Sequence, residues 1–407
     1  MNLPQDTGDI IIVGGGPAGL TTALSLVHHA PALRERITIV EKARYPREKI
    51  CAGGVGDRGW RFLEALDAAP SVPEVRIHGI SVCSTEGICV ARPGHIGRVI
   101  RRVELDAALA EIVEHRGIRI EQGVSVRDIT EPDGEGALVH TRSGVRRACI
   151  VVGADGVGSA VRRSMGLHAG DYRALVLEVD TPGVAGDPDR DLIHFDASDR
   201  SYAGYIWDFP SIVDGEAVMC RGLYVLRPRT GLHPDVPVDD AIDLTATLGE
   251  YMAARGLDIG GVRKKRFAER GFAVRDRVTL GRRMLVGESA GIDPVSGEGI
   301  AQALEYGFRA GAFLAQVVQE GRPLDDWARV LPRSRLGWDL RVRTGIVPVF
   351  YGRWRPALER GFAASPKLLH AGAQHWGGRL PKAWDVARGM LQASRGVLRP
   401  RALLTGR

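Results

Sequence analysis

The stretch that most limits what this chain can fold into is residues 9–41. There an apolar run, a glycine turn, an amphipathic segment, a second apolar run and a carboxylate follow one another. Ile10, Ile11, Ile12 and Val13 are continuously apolar, as in a central parallel strand covered on both faces. They lead into Gly14, Gly15, Gly16, Pro17, Ala18 and Gly19, which fit G-x-G-x-x-G on Gly14, Gly16 and Gly19. The three glycines have separate tasks: a tight turn at Gly14, backbone approach to a pyrophosphate at Gly16, and helix-on-strand packing at Gly19. The phosphates then rest on free N–H groups at a helix N-terminus. Leu20, Ala23, Leu24 and Val27 continue that helix at i, i+3, i+4 and i+7, and Ile37, Ile39 and Val40 make the second strand. Glu41 closes the unit as acceptor for a ribose 2′-hydroxyl and disfavours a 2′-phosphate. The expected architecture is α/β, with a Rossmann-type dinucleotide-binding domain.

A chain of 407 residues, 44% apolar and 26% charged, has room for two domains or for one large domain with an inserted lobe. Its net charge of +6 is concentrated at one end: from residue 333 onward thirteen Arg and two Lys stand against Asp339, Glu359 and Asp385. The rest of the chain is therefore net acidic. The basic region reads as solvated helix faces, and the alternative is peripheral contact with an acidic partner or membrane headgroups. Nothing resembles a zinc finger or an RNA-binding signature, so no nucleic-acid partner is expected. The five cysteines, Cys51, Cys83, Cys89, Cys149 and Cys220, are odd in number without C-x-x-C spacing, which argues against a disulfide framework or a metal site. The residues before Asp9 lack the apolar core of a signal peptide, and no apolar run approaches eighteen residues. A cytoplasmic protein, at most peripheral to a membrane, is expected; the oligomeric state is not readable.

Along the chain, Pro46, Gly53 and Gly54 make residues 42–60 a loop at the carboxyl end of the sheet. Residues 58–66 look helical, and 75–99 alternate as antiparallel strands do. A helix from Arg101 and Arg102 and a strand at 118–120 return to the nucleotide domain, and the buried run 148–153 ends in GADG at 153–156. Several strands follow between 174 and 227, then a helix at 239–254 and a strand at 264–274. A strand at 284–287, the segment ESAGIDPVSGEGI and a helix over about 297–318 come last before a helical end. The expected division is a discontinuous dinucleotide domain of residues 1–74, 100–172 and 275–330; an inserted, mostly antiparallel substrate-binding sheet lobe of 75–99 and 173–274; and a basic helical C-terminal region of 331–407.

Three glycine-containing turns in this order resemble the flavoprotein family of aromatic hydroxylases, flavin-dependent halogenases and geranylgeranyl reductases: GGGPAG, then GADG, then GESAGIDPVSGEGI at 287–300. The resemblance implies FAD as cofactor. With no second strand-associated G-x-G-x-x-G, NAD(P)H or another electron donor would bind only transiently. It further implies that Asp155 ties the FAD loops together, that Arg102 lies near the phosphates, that Glu288 meets the ribityl hydroxyls where most relatives have Asp, and that Gly156 and Gly287 in the same turns contact the cofactor. Pro17, Ala18, Lys42, Pro294 and Ile300 complete the expected cofactor contacts. Gly297, Glu298 and Gly299 would open a helix whose N–H groups and positive dipole face the flavin pyrimidine edge. That stabilises charge at N1 of the reduced ring.

Two further stretches resemble the geranylgeranyl reductases in particular: YPREKICAGGV, and GYIWDFP at 204–210. On a strand, Tyr205, Trp207 and Phe209 share one face, either as core or as the aromatic wall of a substrate pocket. Cys51 lies in the loop where the family places a cysteine beside the flavin, either as proton donor or as a small residue permitting close approach. Arg47 and Lys49 would lower its pKa if they point inward. The expected activity is FAD-dependent reduction of C=C bonds in a hydrophobic isoprenoid or polyene substrate, with Cys51 or water supplying the proton. The alternatives are an FAD-dependent monooxygenase or halogenase of natural-product biosynthesis and a non-catalytic lipid- or partner-binding protein.

Overall fold

Ile10–Val13 forms the centre of a six-stranded sheet because both its neighbours and both its faces are apolar. It pairs in parallel with Ile37–Glu41 on one side and Ile150–Gly153 on the other. Arg119–Gln122 extends the sheet in parallel beyond Ile37–Glu41, and Arg283–Leu285 does so beyond Ile150–Gly153, followed by the antiparallel edge strand Thr279–Leu280. The computed structural model describes residues 9–132, 136–167, 170–379 and 381–398.

The helix Pro17–His29 leaves the first strand directly and packs along the long helix Ile300–Glu320. Small residues set that distance: Ser25 Oγ donates to the Phe308 carbonyl at 2.6 Å across the pair. At the turn itself Gly14 has φ +105°, and a methyl group on Gly19 would collide with the Gly14 carbonyl oxygen. Helix can therefore lie on strand only with glycine at both positions.

A second sheet of seven strands runs Lys265–Arg270, Tyr172–Thr181, Glu216–Pro228, Gly204–Val213, Leu192–Asp196, Gly79–Ser84 and Gly87–Ala91. All its pairings are antiparallel except that of Leu192–Asp196 with Gly79–Ser84. The alternating stretch at 75–99 is therefore split. Val75–Ile77 and Gly97–Val99 leave it for a small sheet with Gly54–Gly56, inside what reads in sequence as a plain loop. A further three-stranded sheet, Val126–Thr130, Ala137–Thr141 and Gly144–Ala148, stands beside the central one, and periodicity does not single it out.

Helix boundaries shift by cap chemistry. Asp243 accepts from the Thr245 amide at 2.8 Å, so that helix spans Leu244–Ala253 and not 239–254. The long helix opens at Ile300, with Gly299 as its N-cap, so Gly297 and Glu298 belong to the preceding loop. Among the described residues no helix is long and apolar enough to cross a membrane.

The C-terminal helices fold back over the opening between the two large sheets. Arg335–Tyr351, whose cap Ser334 accepts from the Gly337 amide at 3.1 Å, is fixed by buried charges. Arg58 donates to Glu305 at 2.8 Å and to Asp339 at 2.8 Å, and Arg343 meets Asp293, Glu298 (3.0 Å) and Asp339 (3.2 Å). Burial alone would raise the Asp339 carboxyl, but a hydrogen bond from His375 and the charges of Arg343 and Arg58 outweigh it and hold the group well below the usual range. Removing one partner leaves buried charge uncompensated. Arg58→Met is therefore expected to destabilise the protein by about 3–5 kcal/mol in urea unfolding; a change within about 0.5 kcal/mol would show that the helix is held otherwise.

Candidate active site

The strands Ile10–Val13, Ile150–Gly153 and Arg283–Leu285 are adjacent and parallel, so the segments that follow them emerge at one edge. The Ala154 amide donates to the Val13 carbonyl at 2.8 Å and the Val286 amide to the Gly153 carbonyl at 2.9 Å, which locks the three turns side by side. They border a cavity of about 1010 Å³ that runs from this edge, between the two large sheets, to the C-terminal helices. Ligand pockets commonly hold about 300–1,000 Å³, so the volume is at the upper end for one site.

Most residues singled out in the sequence meet on this cavity. Gly14, Gly16, Pro17, Ala18, Glu41 and Lys42 line it, as do Arg102, Asp155, Gly156, Glu288, Gly297, Gly299 and Ile300. Three stand behind the wall. Gly19 packs under the turn, Gly287 abuts Ala18, and the Pro294 carbonyl accepts from Tyr224 OH at 3.0 Å.

Glu41 anchors the first turn: its carboxylate accepts from the Gly15 amide at 2.7 Å and the Ala43 amide at 2.9 Å. Arg102 is held by Asp106 through two contacts of 2.7 Å and reaches toward Gly16. Glu288 takes the Arg270 amide at 3.2 Å and faces Gly156; burial raises its pKa, against the charge of Lys49.

Cys51 sits half-buried on the wall between these turns and the aromatic strand Gly204–Val213. Burial pushes its thiol up, opposed chiefly by Arg102. Arg47 and Lys49 do not take the part foreseen for them. Arg47 is spent on the Gly15 carbonyl (3.0 Å) and Asp106 (3.0 Å), and Lys49 lies over the Phe267 ring at 5.6 Å. The thiol therefore keeps its proton at neutral pH.

Tyr205, Trp207 and Phe209 point together into the cavity, although Trp207 and Phe209 are also core, at 4% and 8% exposure. Tyr205 stacks on Tyr224 at 5.1 Å and donates to the Ser296 carbonyl at 2.5 Å, which joins the aromatic strand to the third turn. Phe195 meets Tyr205 and Phe209 edge-on at 5.2 and 5.4 Å.

Several site residues carry no sequence signal strong enough to find them. Ile346, Phe350, Phe362 and Trp376 close the far end from the C-terminal helices, and Arg343 crosses from there to the third turn. Glu269 shares a strand face with Phe267, a parity visible in sequence; burial and the adjacent Glu288 raise its carboxyl well above the ordinary value.

The profile of the family described as FAD binding domain matches residues 7–187. A digeranylgeranylglycerophospholipid reductase of Methanothermobacter thermautotrophicus is 27% identical over 350 residues, covering 82% of this chain and 84% of that protein. The chain carries an FAD-binding domain related to geranylgeranyl reductase-like flavoproteins. A geranylgeranyl bacteriochlorophyll reductase-like protein of Thermoplasma acidophilum shares its fold, with a TM-score of 0.63 and 19% identity over 96% of this chain and 98% of that one. A flavin-dependent brominase, solved as a triple mutant, shares it with a TM-score of 0.61 and 17% identity over 97% and 96%. The protein is a flavin-dependent enzyme, and its fold is shared by a geranylgeranyl bacteriochlorophyll reductase-like protein and by a flavin-dependent brominase.

The residues present fit FAD. The position of Gly16 is open, with the Arg102 guanidinium 3.6 Å from where a Cβ would stand. Among the described residues Asp155 Oδ1 is a buried acceptor without a partner. Gly16→Val would fill that cradle and is expected to weaken FAD binding more than about tenfold with the far-UV circular dichroism unchanged. Flavin fluorescence titration reads the result, and unaltered affinity would remove Gly16 from the phosphate site.

Proposed function

We propose that this enzyme reduces C=C bonds of a hydrophobic isoprenoid or polyene lipid. The observation that carries this reading is continuity: the dinucleotide cradle and an aromatic, apolar chamber are one cavity, with Cys51 on the wall between them. Bound FAD supplies the two-electron hydride chemistry, and NAD(P)H or another donor recharges it transiently.

The chain's own residues do the rest. Gly14, Gly16, Arg102 and Asp155 hold the dinucleotide, and Glu41 fixes the first turn. Tyr205, Trp207 and Phe209 press an isoprenoid chain flat and keep water away, which an unactivated alkene requires because no carbonyl takes up the developing charge. Cys51, kept protonated by burial, gives its proton to the carbon that does not receive hydride. The related reductase of Methanothermobacter, whose name specifies a lipid with geranylgeranyl chains, supports the substrate class.

Oxygen-dependent hydroxylation or halogenation is the second reading, favoured by the fold shared with the brominase. Anaerobic incubation of dithionite-reduced holoenzyme with prenyl lipids separates the two. The expected product gains two hydrogens per double bond; strict dependence on oxygen would overturn the reductase reading. Trp207→Ala is expected to raise KM for the lipid more than about tenfold while FAD stays bound.

The C-terminal helices would bring the enzyme to its substrate at a bilayer. Trp338, Trp354 and Trp384 are 61%, 55% and 70% exposed, with Arg353 over the Trp354 ring and Arg388 over that of Trp384. Exposed Trp beside Arg suits the headgroup layer of an anionic membrane. The holoenzyme is expected to co-sediment with anionic but not zwitterionic vesicles, and Trp354→Ala combined with Trp384→Ala to weaken this more than about tenfold. Equal sedimentation with both vesicle types would reject an electrostatic contact.

A further inference from the structure

Glu178 is a buried acid with no part in the reading above. On Tyr172–Thr181 it stands in register between Gly222 and Lys265, and Gly222 in turn faces Trp207. A side chain at 222 would collide with the Trp207 indole, so the ring closes over this point of the sheet. Glu178 is 0% exposed, and among the described residues neither of its carboxyl oxygens has a hydrogen-bond partner. Lys265 Nζ stays 3.8 Å from its Oε1, a charge contact only. The Cys51 backbone amide faces the same carboxyl, and the buried Cys220 thiol lies beside it.

A carboxylate with so little hydrogen bonding is costly to bury, so burial raises the group toward neutrality against the charges of Lys265 and Arg101 and the facing Cys51 amide. A polar path leads away from it. Lys265 Nζ donates to Asp180 Oδ2 at 2.5 Å, Arg101 holds Asp180 at 3.0 and 3.1 Å, and the Asp180 side chain is 20% exposed.

We propose that Glu178 is the proton store for Cys51: a positioning residue that returns a proton to the Cys51 sulfur after each turnover and is refilled from solvent past Lys265 and Asp180. This rests on Cys51 being the acid. With the bound flavin supplying a hydride, and so two electrons, to one alkene carbon, the other carbon would take the Cys51 proton, leaving a thiolate. The Glu178 O–H proton then moves to that sulfur, and the resulting carboxylate takes a proton that comes from water.

The transfer runs downhill. Burial lifts the Cys51 thiol above its ordinary value, whereas burial, opposed by Lys265 and Arg101 and assisted by Asp180, brings Glu178 up to about 7. The thiolate is thus the stronger base. Because the store works only when Glu178 is protonated, steady-state turnover falls as pH rises through about 7.

Three measurements on the holoenzyme test this. Wild-type turnover is followed across that range, and a profile flat between about pH 6 and 8 overturns the proposal. Glu178→Gln keeps the shape of the side chain but not its proton. Its first turnover from pre-reduced enzyme is expected within about twofold of wild type, while steady-state turnover drops more than about tenfold and loses its dependence near neutrality. Equal loss in first and later turnovers overturns the store in favour of a structural role. Alkylation of Cys51, read by peptide mass spectrometry against pH, needs no turnover. Losing the Glu178 charge is expected to lower its midpoint by about one unit, and an unchanged midpoint overturns the coupling. Full activity of Cys51→Ser would overturn the acid reading and the store together. Loss of activity there with an unshifted Glu178→Gln midpoint overturns the store alone.

Discussion

The buried ion network around Arg343 holds the two halves of the site together. Arg343 comes from a C-terminal helix and reaches Asp293 and Glu298 in the third turn, while Asp339 on the same helix receives Arg58 from the helix that follows the cofactor-side loop. Such a network adds little net stability, because desolvating the charges offsets most of their attraction. Its effect is geometric: carboxylates in the third turn have a fixed cation, so the C-terminal helices cannot drift without exposing buried charge. The far wall of the chamber is thereby set relative to the cradle.

That coupling makes the glycine turns and the aromatic strand walls of one enclosure. Tyr205 adds to it through the Ser296 carbonyl, and Tyr224 through that of Pro294. Aromatic side chains used in this way bury large apolar area and still satisfy their hydroxyls. They build a dry wall that is also a strut for the third turn. The acids on the same sheet, Glu178 and Glu269, are raised chiefly by their burial, and Glu269 also by the neighbouring Glu288.

The dinucleotide unit was legible because it is local. Strand, glycine turn, helix and Glu41 lie within residues 9–41, and each has a backbone or hydrogen-bonding reason that needs no distant partner. The aromatic strand was legible as a face but not as a wall, since alternation alone does not say whether core or cavity lies above it. The loop marks Cys51 as a candidate, and the structure puts it on the cavity wall; the direction of its pKa is not legible in sequence, because it depends on where Arg47 and Lys49 turn. Both turn to other partners.

The sequence by itself determined the parallel sheet, the cofactor class and the glycine turns that border the cavity, because these follow from periodicity and glycine sterics over short spans. Only the tertiary structure decided that the basic C-terminal helices close the far end of the cavity, and that the buried Glu178 carboxyl meets Lys265 by charge alone, with the Cys51 backbone amide facing it. Both depend on contacts between segments far apart in the chain, whose geometry no local pattern encodes.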